Sequence, residues 1–246
     1  MNPQSPVREI QRIRYELRQR EVTVSDVEVL SPEMVRVTFS GEALADFASQ
    51  SFDDHVKFIF TTPQGAVVRR HYTPVRCDAA ARTVALEFAL HPEGDASDWA
   101  RAAQVGQTAV IAGPRGSMII PMDYDWHLLV GDSSALPAIR RRLAELPAGA
   151  QVTVVIQVSD AREHCALTSA ASVQVHWVHD EAAMLQSISD LVLPAGDGFV
   201  WAAGEGSQMR QLRTILLKEK GIAKQAMHIA VYWMQGVSDV HERLDD

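Results

Sequence analysis

The sequence has little cysteine, no long apolar run and no surplus of positive charge. Its 246 residues include two cysteines, Cys77 and Cys165, which form no CxxC. Two thiols cannot staple a chain of this length, so no disulfide framework is expected and a reducing, cytoplasmic setting is. No apolar stretch approaches the ~20 residues that a membrane helix needs, so no stable membrane association is expected. The opening, MNPQSPVREIQRIRYELRQR, holds no apolar core, and no secretory signal is expected there. Lys and Arg number 23 against 31 Asp and Glu, a net charge of −8. A globally acidic chain lacks the basic footprint that nucleic acid requires. GxGxxG, GxSxG and HExxH are missing, which disfavours the usual Rossmann dehydrogenase, the α/β-hydrolase and the zincin.

What is present falls into two textures. Residues 1–20 are rich in arginine, with Ile10, Ile13 and Leu17 at helical spacing, and predict an arm packed on the body with solvated arginines. Six short alternating segments follow, at 21–30, 34–40, 55–61, 69–76, 82–90 and 107–112, with a helical piece at 98–103. Turn signals between them predict a six-stranded antiparallel β-barrel. Beyond Pro121 the period changes. Strands at 127–131, 152–158, 173–178, 199–203 and 228–233 alternate with helices at 135–146, 181–191 and 206–221. Apolar strands alternating with helices predict a doubly wound parallel α/β unit. The expected division is 1–122 and 123–246, with the hinge in PMDYDW.

Several strings could carry chemistry. Two strand ends run into glycine before a helix: the first holds Gly131, Asp132, Ser133, Ser134 and Ala135, the second Gly204, Glu205 and Gly206. Open α/β sheets bind ligands at such ends, and helix N-termini offer N–H groups to phosphate. Ordinary βα turns have the same composition. Arg70, His71, Tyr72 and Thr73 place a cation, an aromatic plane and a hydroxyl on one strand. Arg can clamp phosphate and Tyr can stack on a planar ring. An exposed barrel strand would read the same way. His91 precedes Gly94, Ala96, Ser97 and Trp99, a string that suits a backbone-donor nest or a Ser97 helix cap with a packed Trp99. Gly113, Arg115, Gly116 and Ser117 form a tight turn carrying one cation. His176 and His179 fall on opposite faces of a strand, poor geometry for chelation, so no protein-bound metal is expected.

The order RxYT, HxxGxAS-xW, GPRG, GDSSALPAI, AGEG and YWxxG after a β-barrel resembles the siderophore-interacting protein family. These are flavin-dependent ferric-siderophore reductases of the ferredoxin–NADP reductase superfamily. RIRYELRQREVTV and SFDDHVKFIF are similar to further segments of that family, and the resemblance spans essentially the whole chain. It implies FAD as cofactor, NADPH or NADH as donor and a ferric siderophore as substrate. It places Tyr72 on the isoalloxazine, Arg70 near the diphosphate, and Thr73 with them. His91 and the turn 94–97 would line the ribityl diphosphate, and 113–117 would approach the adenosine. Asp132, Ser133, Ser134 and Ala135, with Gly204, Glu205 and Gly206, would form the nicotinamide-dinucleotide surface. Tyr232 and Trp233 would sit near the flavin. His55 and Lys57 are candidates to attract an anionic ferric chelate. Arg162 could meet a 2′-phosphate or be a surface arginine in a loop.

One position departs from the pattern. Met234 stands where the family usually has Arg after YW, which puts substrate or cofactor preference in question. A general flavin or ferredoxin reductase, and a binding protein without turnover, are the alternative readings. No acid, base or nucleophile from the protein is required, because the cofactor carries the hard chemistry. A monomer is expected, and residues 239–246 read as a solvated acidic tail.

Overall fold

The structure, a computed structural model, describes residues 8–237 and 242–244. The first half runs β1 (Gln11–Arg14), β2 (Gln19–Ser31), β3 (Met34–Ser40), β4 (Val56–Thr61), β5 (Val67–Tyr72), β6 (Pro74–Asp78) and β7 (Thr83–Ala89). Helix α1 (Asp95–Arg101), β8 (Thr108–Ala112) and β9 (Gly116–Ile119) complete it. The second half alternates β10 (Trp126–Asp132), α2 (Leu136–Glu145), β11 (Gln151–Gln157), β12 (Ser172–Val178) and α3 (Glu181–Asp190). It continues through β13 (Gly198–Glu205), α4 (Gly206–Lys218), β14 (Met227–Trp233) and β15 (Glu242–Arg243).

The first half is antiparallel, but it is a seven-stranded sheet of order β5-β4-β8-β2-β3-β7-β6, and no ladder closes it among the described residues. The segment expected as one strand at 69–76 is two strands at opposite ends of that order. The break falls at Thr73. Pro74 has no N–H to continue a ladder, and the chain crosses there from one edge to the other. Alternation puts Phe39, Phe58 and Phe88 on the inner face, where they pack with Trp99 of α1. Burying each such ring contributes about 1.5–3 kcal/mol.

Three further expectations are corrected. The N-terminal arm is strand β1, paired with β9, and not a helical face. Its ladder needs a close approach: a Cβ on Gly116 would lie 2.2 Å from the Ile13 carbonyl oxygen. The helical piece begins at Asp95, so Ser97 lies inside the helix and is no cap. The acidic segment is part strand: β15 pairs antiparallel with β14, while Asp239, Val240, His241, Asp245 and Asp246 lie outside the described residues.

The second sheet has the order β12-β11-β10-β13-β14-β15, with five parallel strands and antiparallel β15, so it is mixed. Helix α2 covers one face through Leu136, Ile139 and Leu143, against Leu129, Val154 and Ile156. Helices α3 and α4 cover the other through Met184, Ile188, Met209 and Leu212, against Leu128, Val130 and Val155. The two sheets share a core. Met34, Phe52, Met118 and Ile120 from the first half pack with α2 and the parallel strands. Arg141 on α2 donates to Ser49 Oγ at 2.8 Å, to Ser49 O at 2.8 Å and to Pro74 O at 3.0 Å.

Candidate functional site

A cleft of about 520 Å³ opens where the β5–β6 crossing meets the C-terminal ends of β10 and β14. That is within the usual size for a small-molecule site. One wall comes from Arg70, His71, Tyr72 and Thr73, and a second from His91, Glu93, Gly94, Asp95, Ala96 and Ser97. Ser134 and Pro137 enter from the first βα turn, and Tyr232, Trp233 and Met234 from the end of β14. Four of the motifs picked out in the sequence therefore meet in one place.

Alternation along β5 explains the first wall. Arg70 and Tyr72 share a face, while Arg69 and His71 share the other. The Tyr72 ring lies 4.3 Å from Phe88 and edge-on to Phe58 at 6.0 Å, so its orientation is fixed by packing. Burial pushes the Tyr72 hydroxyl well above its ordinary value. Arg70 Nη1 donates to the Arg69 carbonyl at 2.8 Å. Thr73 is buried and lines the cleft together with Tyr232. On the second wall, Ser97 Oγ accepts from the His91 N–H at 2.9 Å, and Arg101 binds the His91 carbonyl. Ser97 thus fixes the backbone of His91. At Gly94, φ is +141° and nothing lies within 4 Å of where a Cβ would be, so the backbone there is bare to the cleft.

The parallel strand ends are organised by Asp132. Its Oδ1 accepts from Ser134 N at 2.8 Å, and its Oδ2 accepts from Glu205 N at 3.1 Å and Trp233 Nε1 at 2.8 Å. Trp233 is thereby held over the cleft, 6.0 Å from the His91 ring. Ser133 is half-buried. Ala135 is fully buried, in contact with Gly131, where an added Cβ would lie 2.4 Å from it. Glu205 caps α4 with its own carboxylate, accepting from Ser207 N and Gln208 N, and these contacts outweigh burial and hold it below the ordinary range. Gly206 sits under Met234, whose Cγ would be 2.9 Å from an added Cβ. Gly204 packs against Asp132.

Several expected residues stand away from the cleft lining. Trp99 is in the core of the first sheet, 4.6 Å from Phe58. Ser117 Oγ bonds Tyr15, Asp54 and Gln50 N and fastens the N-terminal segment. Gly113 and Arg115 line a second depression of about 470 Å³, with His55, Lys57, Arg69 and His71. That depression has five basic residues and no Asp or Glu in its lining. His55 and His71, whose rings are 5.0 Å apart, border both hollows. Arg162 pairs with Asp160 at 2.9 Å on the surface.

Two carboxylates escaped the sequence reading. Glu87 lines the cleft floor, with Oε1 accepting from Arg36 and Oε2 receiving no hydrogen bond, 3.3 Å from Arg140 Nε. Its only signal is one charge in the run ALEFA. Asp53 is buried and accepts from Trp201 Nε1 at 3.1 Å and Tyr232 Oη at 3.3 Å. Its Oδ2 lies 3.2 Å from His228 Nε2. Burial raises the Asp53 carboxyl, but His228 outweighs it and the net direction is below the ordinary range.

The model for "Siderophore-interacting protein" matches residues 124–236, and that for "Siderophore-interacting FAD-binding domain" matches 23–69 and 62–118. The chain belongs to the siderophore-interacting protein family. A relative in Escherichia coli, the NADPH-dependent ferric-chelate reductase, is 36% identical over 91% of this chain and 96% of its own length. A siderophore utilization protein from T. fusca superposes with a TM-score of 0.89 at 33% identity, covering 94% of this chain and 98% of that one. A ferredoxin NADP+ reductase from Neisseria gonorrhoeae shares the fold, with a TM-score of 0.62 at 14% identity over 87% of this chain and 99% of that one. Among the described residues, no helix is long and apolar enough to cross a membrane, and no group of three or more His, Cys, Asp or Glu is arranged to hold a metal.

Proposed function

We propose that this chain is an FAD-containing reductase that takes hydride from NAD(P)H and releases iron from a ferric siderophore by reducing it. The observation that carries this reading is the meeting of Arg70, Tyr72 and Thr73 with Ser134, Pro137 and Trp233 in one cleft. The donor set suits a flavin. Tyr72 offers a fixed plane, Thr73 a hydroxyl and Arg70 a cation. Glu87 Oε2 is buried and 3.3 Å from Arg140 Nε, receives no hydrogen bond, and can accept one from an N–H or O–H. Bound FAD supplies the conversion between a two-electron hydride and one-electron reduction of Fe(III).

The walls differ in charge, and that orients the cofactor. Arg70 and His71 make the β5 side the place for the diphosphate. Glu93 and Asp95 flank Gly94, so the α1 side suits ribityl or ribose hydroxyls better than phosphates. This modifies the expectation for 94–97. We assign flavin binding to residues 1–122 and dinucleotide binding to 123–246; Gly116 and Ser117 are taken up in holding the N-terminal segment, and Gly113 and Arg115 belong to the basic depression rather than to an adenosine site. On that second surface the Glu205 carboxylate already occupies the N–H groups of α4. The start of α2 has no side-chain cap, which favours the Asp132–Ala135 turn for the dinucleotide. The basic depression around His55 and Lys57 is the docking place for an anionic ferric chelate. Met234 lies against Gly206 at the cleft rim, so the position that usually carries Arg contributes packing here and no charge. With both thiols free, we place the enzyme in the cytoplasm.

The test is an anaerobic visible spectrum of FAD-saturated protein before and after NADPH. A protein-bound flavin band that bleaches, and returns on adding a ferric chelate, is the expected result. A bound flavin that NADPH and NADH both leave unbleached would overturn the donor assignment. No bound flavin would overturn the reading of Arg70, Tyr72 and Thr73.

A further inference from the structure

NADH and NADPH differ by one phosphate, on the 2′ position of the adenosine ribose. With the pyrophosphate on the Asp132–Ala135 turn, strand order says where that ribose lies. The nicotinamide has to enter the cleft, which opens on the β14 side of β10, at Trp233. The adenosine therefore runs the other way, over the C-terminal ends of β11 and β12. Gln157 is the register partner of Asp132, and Val178 that of Gln157. Adjacent strands lie about 4.8 Å apart, so the chain leaves both strands within roughly 10 Å of the turn. Arg140 of α2 ties the loop after β11 to this place, donating to Cys165 Sγ at 3.0 Å. A stack of rings stands there. His164 lies against Trp177 at 4.8 Å and 18°, and against His179 at 5.4 Å and 8°, with both imidazoles exposed. Such a flat surface suits a purine. The charge beside it is negative. Residues 158–164 and 178–182 carry Asp160, Glu163, Asp180 and Glu181 against one cation, Arg162. Asp160 accepts from Arg162 Nε at 2.9 Å, Nη2 at 3.3 Å and the Arg162 N–H at 2.8 Å. Asp180 accepts from Ala183 N at 2.7 Å and closes the start of α3 to a phosphate, as Glu205 closes α4.

We propose that this chain takes NADH in preference to NADPH, with Asp160 and Asp180 as the residues that turn the 2′-phosphate away. The preference rests on the donor reading above. A phosphate monoester brings about −1.5 to −2 charge at pH 7 to a place where carboxylates already outnumber cations. Arg162 offers that phosphate no net charge. Turning towards it would strip Asp160 of its partner and set that carboxylate beside the new anion. A free 2′-hydroxyl meets the opposite condition, because it can donate to a carboxylate. An acidic side chain past a parallel strand selects NAD in doubly wound folds by this contact, where an unencumbered Arg would admit NADP.

The test titrates NAD+ and NADP+ into FAD-loaded protein by calorimetry, in a buffer free of phosphate and sulfate. Anaerobic bleaching of the flavin by NADH and by NADPH is followed alongside. Wild type should bind NAD+ about tenfold more tightly than NADP+, and half-maximal bleaching should need correspondingly less NADH. Asp160→Asn combined with Asp180→Asn keeps both caps, since Asn accepts from the same N–H groups, and removes both charges. That variant should gain on the order of tenfold in NADP+ affinity while NAD+ binds no more tightly than before. Arg162→Ala should leave the preference for NAD+ in place. If wild type binds NADP+ as tightly as NAD+ or more so, the discrimination is overturned. Loss of NADP+ binding in R162A would then assign Arg162 to the phosphate. Calorimetry reads the preference whether or not the flavin is reduced, so failure of the reductase reading is seen separately, as flavin that stays unbleached. If neither dinucleotide binds, the donor reading has failed and the preference falls with it.

Discussion

A single buried imidazole sets part of the acid stability. His127 on β10 is 1% exposed, and its Nε2 lies 3.3 Å from the Met122 carbonyl. Burial first, and the Arg142 charge second, push it down to about 4. The unfolded chain takes up that proton near pH 6.5. Between about pH 6.5 and 4 the unfolded state thus binds more protons, and stability falls as pH falls. The full term is on the order of 3 kcal/mol, present above pH 6.5 and lost by pH 4. Asp54 and Glu145 are both raised by burial and act in the opposite sense, so wild type alone cannot isolate it. Urea titrations at pH 5 and 7.5 on wild type and His127→Gln can. The variant should show the shallower loss on acidification, and equal losses would refute the assignment. At this scale the sequence was legible wherever chemistry was local. Arg70, Tyr72, Thr73, His91 and Trp233 all face the cleft. It was opaque for Trp99 and Ser117, whose surroundings come from distant segments, and for Asp53, whose partners lie on β13 and β14.

Periodicity located most strands and helices but not their partners. The eight strands and helices of the second half expected from apolar pattern were all found, within a few residues at their ends. The pattern says nothing of pairing, however, and β1 shows why that matters. Ile10, Ile13 and Leu17 fit a helix, yet four residues of that segment form a ladder with β9. The deciding residue is Gly116, which is remote in sequence and has no side chain to keep the strands apart. Gly116→Ala would force its Cβ to within 2.2 Å of the Ile13 oxygen. An overpacked contact of this kind costs about 1–3 kcal/mol, or roughly 2–10 °C in Tm for a chain of this size. Scanning calorimetry should show that drop, and trypsin should then cut at Arg12 and Arg14 before the body of the protein is touched. An unchanged Tm and an uncut arm would mean that β1 contributes no stability. The split of 69–76 into β5 and β6 has the same origin, since a crossing between sheet edges leaves no mark in alternation beyond Pro74.

For the molecule as a whole, charge is distributed against its own average. The net charge is −8, yet the second depression is lined by His55, Lys57, Arg69, His71 and Arg115 without a carboxylate. An anionic chelate that docks as proposed above would be steered to this depression by its basic lining, against the net negative charge of the chain. Exposed charges act over a Debye length that falls from about 30 Å at 0.01 M salt to 3 Å at 1 M. Steady-state reduction of an anionic ferric tris-catecholate should therefore lose about tenfold or more in kcat/KM as salt rises across that range. A neutral ferric hydroxamate, with no charge to steer, should change little. Replacing Lys57 and Arg115 together with Ala should lower the catecholate rate at low salt and flatten its salt dependence, while FAD reduction by NADPH keeps its rate. Parallel salt slopes for the two chelates would show that the basic depression does not guide the substrate. Docking would then have to depend on shape in the cleft itself, where Met234 offers an apolar rim in place of a cation.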